Sequence, residues 1–177
     1  MAYQKLQVSE ALSVITSDDV RIPDPSTVVV LDTATGQTVG TAAFTASTLT
    51  TVTPAAPGFT TAGIQVGAII YNTTAGIAYT VTGITSDTVL AITPATVGGL
   101  TDSYTIYNNA TVGCVLYVGT AGDLKVQMAQ QNGNTTTVAA PANAAVTFKN
   151  LPNASFLPTQ VVRVDDDTTA TDIIALW

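Results

Sequence analysis

Residues 78–93 read Ala-Tyr-Thr-Val-Thr-Gly-Ile-Thr-Ser-Asp-Thr-Val-Leu-Ala-Ile-Thr, and this stretch decides the fold class. β-Branched and aromatic residues fill both of its ends, and such residues suit a pleated surface better than a helix. Turn-forming residues interrupt the stretch at positions 85–87. It therefore predicts a β-hairpin, with one strand over Ala78–Ile84 and the other over Thr88–Thr93.

Short apolar runs between turn signals continue along the rest of the chain, and none has the helical period of about 3.6 residues. Further strands are predicted at Val28–Leu31, Ile69–Tyr71, Tyr104–Tyr107, Val112–Val118, Leu124–Met128, Val146–Phe148, Val161–Val164 and Ile173–Trp177. Val112–Val118 is almost continuously apolar, which is typical of a strand covered on both faces. Gly119–Asp123 predicts a hairpin turn between this strand and the next.

The composition changes at Asn108, which suggests two modules. Many short strands with regularly spaced turns favour a sandwich or a barrel. We predict an all-β fold in which residues 1–41 and 109–177 form a β-sandwich or jelly-roll-like base module. Residues 42–108 would form an inserted, small, β-barrel-like module.

The chain carries little charge. Only 10% of its residues are charged, against about 25% in ordinary domains, and the net charge is −7. Its five cations are Lys5, Arg21, Lys125, Lys149 and Arg163. Such dispersed cations cannot neutralise a run of phosphates, so we expect neither a nucleic-acid partner nor a membrane partner. A thinly charged surface is better suited to being covered, and we expect association with partners or copies.

The residue types needed for common catalytic sites are scarce. The sequence has no histidine and a single cysteine, Cys114, which excludes His-based triads and an internal disulfide. We expect Cys114 to be a buried, inert thiol. We predict no enzyme activity, no cofactor and no metal. The N-terminus lacks an apolar signal-peptide core, and no window is long enough to span a bilayer, so we expect synthesis in a cytoplasm.

Four weaker features each have two interpretations. The acidic run Asp165–Asp167 could bind a cation or be a solvated loop, and the spacing favours the loop. Gly119–Gly122 could cradle a phosphate, but a hairpin turn fits it better. Four tyrosines of the inserted module could stack on glycans or pack in its core, namely Tyr71, Tyr79, Tyr104 and Tyr107. Trp177 ends the chain, and we expect it to be buried against the base module or a neighbouring subunit.

Several motifs resemble those of known proteins. In the base module they are Leu116–Val126, Val146–Pro152, Phe156–Val164 and Thr168–Trp177, with the chain ending on Leu-Trp. Their order resembles small tailed-phage virion proteins of the spike-base or capsid decoration (cement) type. In the inserted module, Gly63–Thr74, Thr88–Ile92 and Asp102–Tyr107 resemble a β module found within various phage structural proteins. The acidic run Asp165–Asp167 departs from the small, neutral loop of the resembling proteins.

The resemblance implies a virion structural protein, made in the host cytoplasm and located on the virion. The leading hypothesis is a capsid decoration protein that binds the major capsid protein and stabilises the shell, with a homotrimer at lattice three-fold positions. Lys5, Leu6, Val8 and Trp177 are the candidate interface residues. The opening arm with Lys5, Leu6 and Val8 could equally form the first strand of the base module. One alternative is a spike-base or tail-associated protein that anchors a receptor-binding fibre. The other is a glycan-binding surface module.

Overall fold

The computed structural model describes residues 8–55, 57–95, 98–129 and 145–177. In chain order the strands are β1 (Ala11–Ser13), β2 (Val39–Thr45), β3 (Thr48–Thr53), β4 (Ile69–Asn72), β5 (Ile77–Ser86), β6 (Val89–Thr93), β7 (Asp102–Tyr107), β8 (Cys114–Thr120), β9 (Gly122–Met128), β10 (Ala145–Leu151), β11 (Ser155–Val164) and β12 (Thr171–Leu176). The helical structure in these ranges is one 3-10 turn at Pro25–Thr27. The predicted all-β class is confirmed.

Strands β2 to β7 close into a six-stranded barrel in the order β2-β3-β6-β5-β4-β7. The predicted hairpin is confirmed, because β5 and β6 pair antiparallel with Val81 opposite Ile92. Aromatic rings fill the barrel: Phe44 stacks on Tyr79 with ring centroids 5.2 Å apart and meets Tyr104 edge-on at 6.3 Å. Closure leaves no strand edge of the barrel unpaired, and its core is packed rather than hollow.

The segment before the barrel differs from the prediction. Val28–Leu31 is not a strand, because Val28 makes only an isolated bridge to Tyr107. Val29 and Leu31 are buried within the barrel's core cluster. Their apolar character therefore reflects burial against the barrel interior, which a short apolar run cannot distinguish from strand pairing.

The remaining strands form one six-stranded sheet in the order β1-β12-β8-β11-β9-β10, here called the base sheet. The long strand β11 pairs first with β8 through Ser155–Leu157, and then with β9 through Val161–Val164. Strands β8, β9, β11 and β12 build one apolar cluster, which we call the base core, and β10 packs Phe148 and Leu151 against it. Its buried members are Ile22, Cys114, Leu116, Val118, Leu124, Val126, Leu157, Val161, Val164, Ala170, Ile173 and Ala175.

The predicted hairpin between β8 and β9 is wrong, because β11 lies between these two strands in the sheet. β8 and β9 both pair antiparallel with β11, so they run in the same direction and the chain does not reverse at Ala121–Gly122. A Cβ on Gly122 would collide with the backbone of Ala170, so only glycine permits this close passage. The glycine here therefore marks a close approach of two backbones and not a reversal of the chain.

The prediction that β8 is covered on both faces is also wrong. Burial alternates along it, with Cys114, Leu116 and Val118 buried and the residues between them partly exposed. Val112, which precedes the strand, is 92% exposed. One side of this strand faces the base core and the other faces outward.

A small apolar cluster joins the barrel to the base sheet. Val20, Tyr71 and Tyr107 are among its buried members, and Leu12 and Ile15 pack against it. The chain segments that enter and leave the barrel lie side by side, with an isolated bridge between Pro23 and Ala110. The barrel strands thus lie between two stretches of the chain that build the base sheet.

Candidate protein-interaction site

The outward side of the base sheet carries two rows of uncharged side chains, and we call it the outer face. In the first row Ser13 lies opposite Ile174, Ile174 opposite Tyr117, and Tyr117 opposite Phe156. In the second row Ala11 lies opposite Leu176, and Leu176 opposite Val115. Directly opposed residues share one face of a sheet. The outer face therefore spans the four strands β1, β12, β8 and β11, across roughly 14 Å at the usual strand spacing.

An aromatic pair stands on the outer face. Phe156 is 56% exposed, and its ring centroid lies 5.2 Å from that of the partly buried Tyr117, with the rings tilted by 60°. Val115, Ile174 and Leu176 are partly exposed beside them. Exposed aromatic and aliphatic side chains without charge are typical of the centre of a protein interface. The outer face is therefore the strongest candidate for a binding surface in the described part of the chain.

Period-two alternation produces this face. In β8, Leu116 and Val118 turn inward to the base core, which leaves Val115 and Tyr117 outward. The sequence prediction treated this run as doubly covered and so did not identify the outer face. Val115 and Tyr117 are as apolar as the core residues between them, so their sequence alone does not separate an interface from an interior.

Two of the four predicted interface residues, Val8 and Trp177, lie near one edge of the base sheet. The Ser9 amide donates to the Trp177 carbonyl oxygen at 2.6 Å, and the Trp177 amide donates to the Glu10 carbonyl at 3.1 Å. Val8, 45% exposed, precedes this pairing. The other two predicted residues, Lys5 and Leu6, lie outside the described residues.

Trp177 is partly buried. Its indole ring packs against the base core, and its Nε1–H donates to Thr111 Oγ1 at 3.0 Å. The ring therefore tethers the last strand to the start of the segment that leads into β8.

The acidic run Asp165–Asp167 is neutralised by neighbouring cations. Asp165 is buried, and Arg163 Nε donates to its Oδ1 at 2.8 Å. Lys125 Nζ lies 3.6 Å from Asp165 Oδ2 and 2.6 Å from Asp167 Oδ2. The hydrogen bond from Lys125 holds the pKa of Asp167 below its usual value, and the same bond raises the pKa of Lys125. Two of the three carboxylates are thus ion-paired with protein cations, and in the described ranges no group of three metal-ligating side chains was found.

The glycine-containing turn offers no free amide cradle. The Ala121 amide donates to Asn153 Oδ1 at 2.6 Å, and the Gly119 carbonyl accepts from the Ala154 amide at 3.2 Å. These hydrogen bonds hold the junction between β8 and β9 against the β10–β11 turn, so the backbone groups are structural.

The four tyrosines of the barrel are buried, so they form no exposed platform for glycans. Tyr79 and Tyr104 are 0% exposed, and Tyr71 and Tyr107 are 3% and 8% exposed. Burial raises the pKa of Tyr104 to about 12, although its hydroxyl donates to Thr51 Oγ1 at 3.2 Å. Burial raises the pKa values of the other three as well.

Cys114 is buried in the base core, as predicted. Its thiol donates to the Val161 carbonyl at 3.3 Å, and burial raises its pKa to about 12. A thiol held in its neutral form is a poor nucleophile.

The described part of the chain holds no helix with the length and apolarity needed to cross a bilayer.

Comparison with protein-family models, with curated proteins and with solved structures gives no match to this chain.

Proposed function

We propose that this chain is a capsid decoration protein of a tailed phage, and that its outer face forms the contact with the capsid shell. The observation that carries the proposal is the exposed Tyr117–Phe156 pair within an uncharged, four-stranded surface. Soluble monomers rarely leave such surfaces uncovered. The order of the motifs in the base module, which resembles that of phage virion proteins, supplies the identity of the partner.

The proposed mechanism needs no chemistry. A protein that binds the assembled shell but not its dissociated subunits stabilises the shell by its binding free energy. Aromatic anchors such as Phe156 and Tyr117 are suited to this role, because they bury a large area with few rotatable bonds to immobilise. The barrel would then stand clear of the contact. Cyclic association into a trimer would match a three-fold position of the lattice.

The test uses particles assembled from the genome that encodes this chain but lacking the chain itself. Purified chain is added back, and binding is measured by co-sedimentation together with the temperature at which the particles release DNA. We expect Phe156→Asp to weaken binding at least about tenfold, since it places a charge at the centre of an apolar contact. Val66→Asp is the matched control, because Val66 is 67% exposed but belongs to the barrel region. It should bind like wild type.

Wild-type binding by Phe156→Asp would rule out the outer face as the contact. A copy number near that of the major capsid protein supports decoration, whereas only a few copies per particle would support the spike-base alternative. Absence of the chain from purified particles would overturn the virion role altogether. Sedimentation of the isolated chain tests the trimer separately.

A further inference from the structure

A cleft of about 310 Å³ lies between the base sheet and the barrel. One wall is the segment that follows β1, including Val14 and Ile15, and another is the start of β12, including Ile173. The tip of the β4–β5 turn, at Gly76, brings the barrel to the same opening. Ligand sites frequently lie where two structural units meet, and this volume is near the lower end of their usual range of about 300–1,000 Å³.

The lining combines aliphatic side chains with one carboxylate and with three threonines, Thr16, Thr168 and Thr171. Val14, Ile15 and Ile173 supply the apolar part, and Asp172 supplies the negative charge. In the described ranges the ion pairs link Lys125 and Arg163 to other aspartates, so Asp172 has no cationic partner there.

Asp172 is held in a defined position. Its φ of 56° lies in the left-handed region, which aspartate tolerates better than most residues. A Cβ on the facing Gly119 would lie 2.7 Å from the Asp172 Cβ, so glycine makes room for this conformation. Thr120 Oγ1 donates to Asp172 Oδ2 at 2.6 Å. The described residues give the second carboxylate oxygen, Oδ1, no hydrogen-bond donor.

We propose that this cleft binds a lysine or arginine side chain of a partner protein. The aliphatic stem of such a side chain would pack on Val14, Ile15 and Ile173, while its charged end pairs with the Asp172 carboxylate. Long basic side chains favour this arrangement, because the stem is apolar and only the end is charged. A saccharide fits less well, because no aromatic ring lines the cleft. A bare divalent cation also fits less well, because it needs about six to eight oxygen ligands and Asp172 is the one carboxylate there.

The proposal does not rest on the virion role, so it is tested on the isolated full-length chain. Blocked tripeptides with a central lysine, arginine or glutamine are titrated at low salt, and amide shifts are followed by NMR. We expect the two basic peptides to bind in the millimolar range and to shift the amides of Val14–Thr16, Gly76 and Ile173. Added salt should weaken the binding, since screening acts on the ion pair.

Asp172→Asn is the decisive variant. Asparagine also tolerates the left-handed region and can still accept from Thr120, so the change removes the charge and keeps the backbone. It should weaken the basic peptides at least about fivefold, whereas Asp19→Asn, at an exposed aspartate elsewhere, should leave binding unchanged. Circular dichroism checks that both variants are folded.

Three outcomes would overturn the proposal: no shifts at the cleft with either basic peptide, equal binding of the glutamine peptide, or binding that survives Asp172→Asn. Shifts centred on residues 165–167 instead of the cleft would also overturn it. A parallel titration with glucose and galactose covers the saccharide, and cleft shifts with a sugar alone would replace the basic side chain as the occupant.

Discussion

The barrel and the base sheet are both six-stranded, but their paired aromatic side chains differ in exposure to solvent. In the barrel, Phe44, Tyr79 and Tyr104 are packed inside with exposures of 1% or less. In the base sheet, Phe156 and Tyr117 stand on the outward side. The closed barrel hides its strand edges and its aromatic rings, whereas the open sheet leaves an aromatic pair exposed on its outer face.

This difference separates a self-sufficient unit from one that benefits from a partner. A closed barrel pairs the edges of all its strands internally, so it offers no open edge to a partner. An open sheet with an apolar outer face gains free energy when that face is covered. We therefore propose the binding role for the base sheet rather than for the barrel, whose stacked aromatic rings lie inside it.

A phenylalanine can be replaced by alanine in each region, and the losses of stability can then be compared. Phe44→Ala should lower the free energy of unfolding by about 3–5 kcal/mol, because it leaves a cavity among stacked rings in the barrel core. Phe156→Ala should lower it by about 1 kcal/mol or less, because this ring is largely exposed. Urea unfolding followed by circular dichroism measures both. Equal losses would mean that the outer face is as much a structural core as the barrel interior.

A second difference lies in buried charge. The base sheet buries Arg163 against Asp165, whereas the barrel's buried Asp102 accepts from the Asn72 side-chain amide at 2.8 Å and the Gly99 amide at 2.6 Å. Asp165→Asn should cost about 3 kcal/mol, because it leaves the Arg163 charge buried without its partner. Asp166→Asn, at the exposed neighbouring position, should cost less than about 0.5 kcal/mol. Thermal and urea unfolding measure the loss of unfolding free energy in both variants. Similar losses would mean that the buried ion pair contributes nothing to stability.

The third expectation concerns alkaline pH. Burial raises the pKa of Cys114 in the base core and of Tyr104 in the barrel to about 12, from ordinary values of 9.0 and 10.0. Above those ordinary values the unfolded chain binds fewer protons than the folded one, so stability falls as pH rises toward 12. The slope is about 1.4 kcal/mol per pH unit for each group.

Cys114→Ala should therefore delay the start of the alkaline decline from about pH 9 to about pH 10. Tyr104→Phe should reduce the slope above pH 10 without moving its start, since Cys114 remains. Unfolding free energies measured in steps from pH 7 to pH 11 give both slopes. A flat profile in the wild type would contradict the burial of these two groups.

Much of the fold was predictable from short-range pattern. The turn at residues 85–87 and the alternating residues around it were enough to predict the β5–β6 hairpin, because its two strands are neighbours in sequence. The position of β11 between β8 and β9 was not predictable in this way. Strand order there depends on contacts between residues far apart in sequence, and no local signal records them.

For the candidate sites too, local features were predictable and contacts between distant residues were not. Cys114 was predicted to be buried because its neighbours are apolar. The acidic run Asp165–Asp167 was recognised, but its cations were not, since Lys125 is distant in sequence. The outer face and the Asp172 cleft were missed, because each is assembled from strands brought together only by folding.

The sequence by itself determined that this chain is made of strands, carries little charge and has no histidine chemistry, since each of these follows from residue type and local spacing. Only the tertiary structure decided which apolar residues lie inside and which face outward. Val115 and Leu116 are adjacent and both apolar, yet one lies on the outer face and the other in the base core. Alternation along a strand sets two faces, and only packing against the rest of the molecule determines which of them is covered.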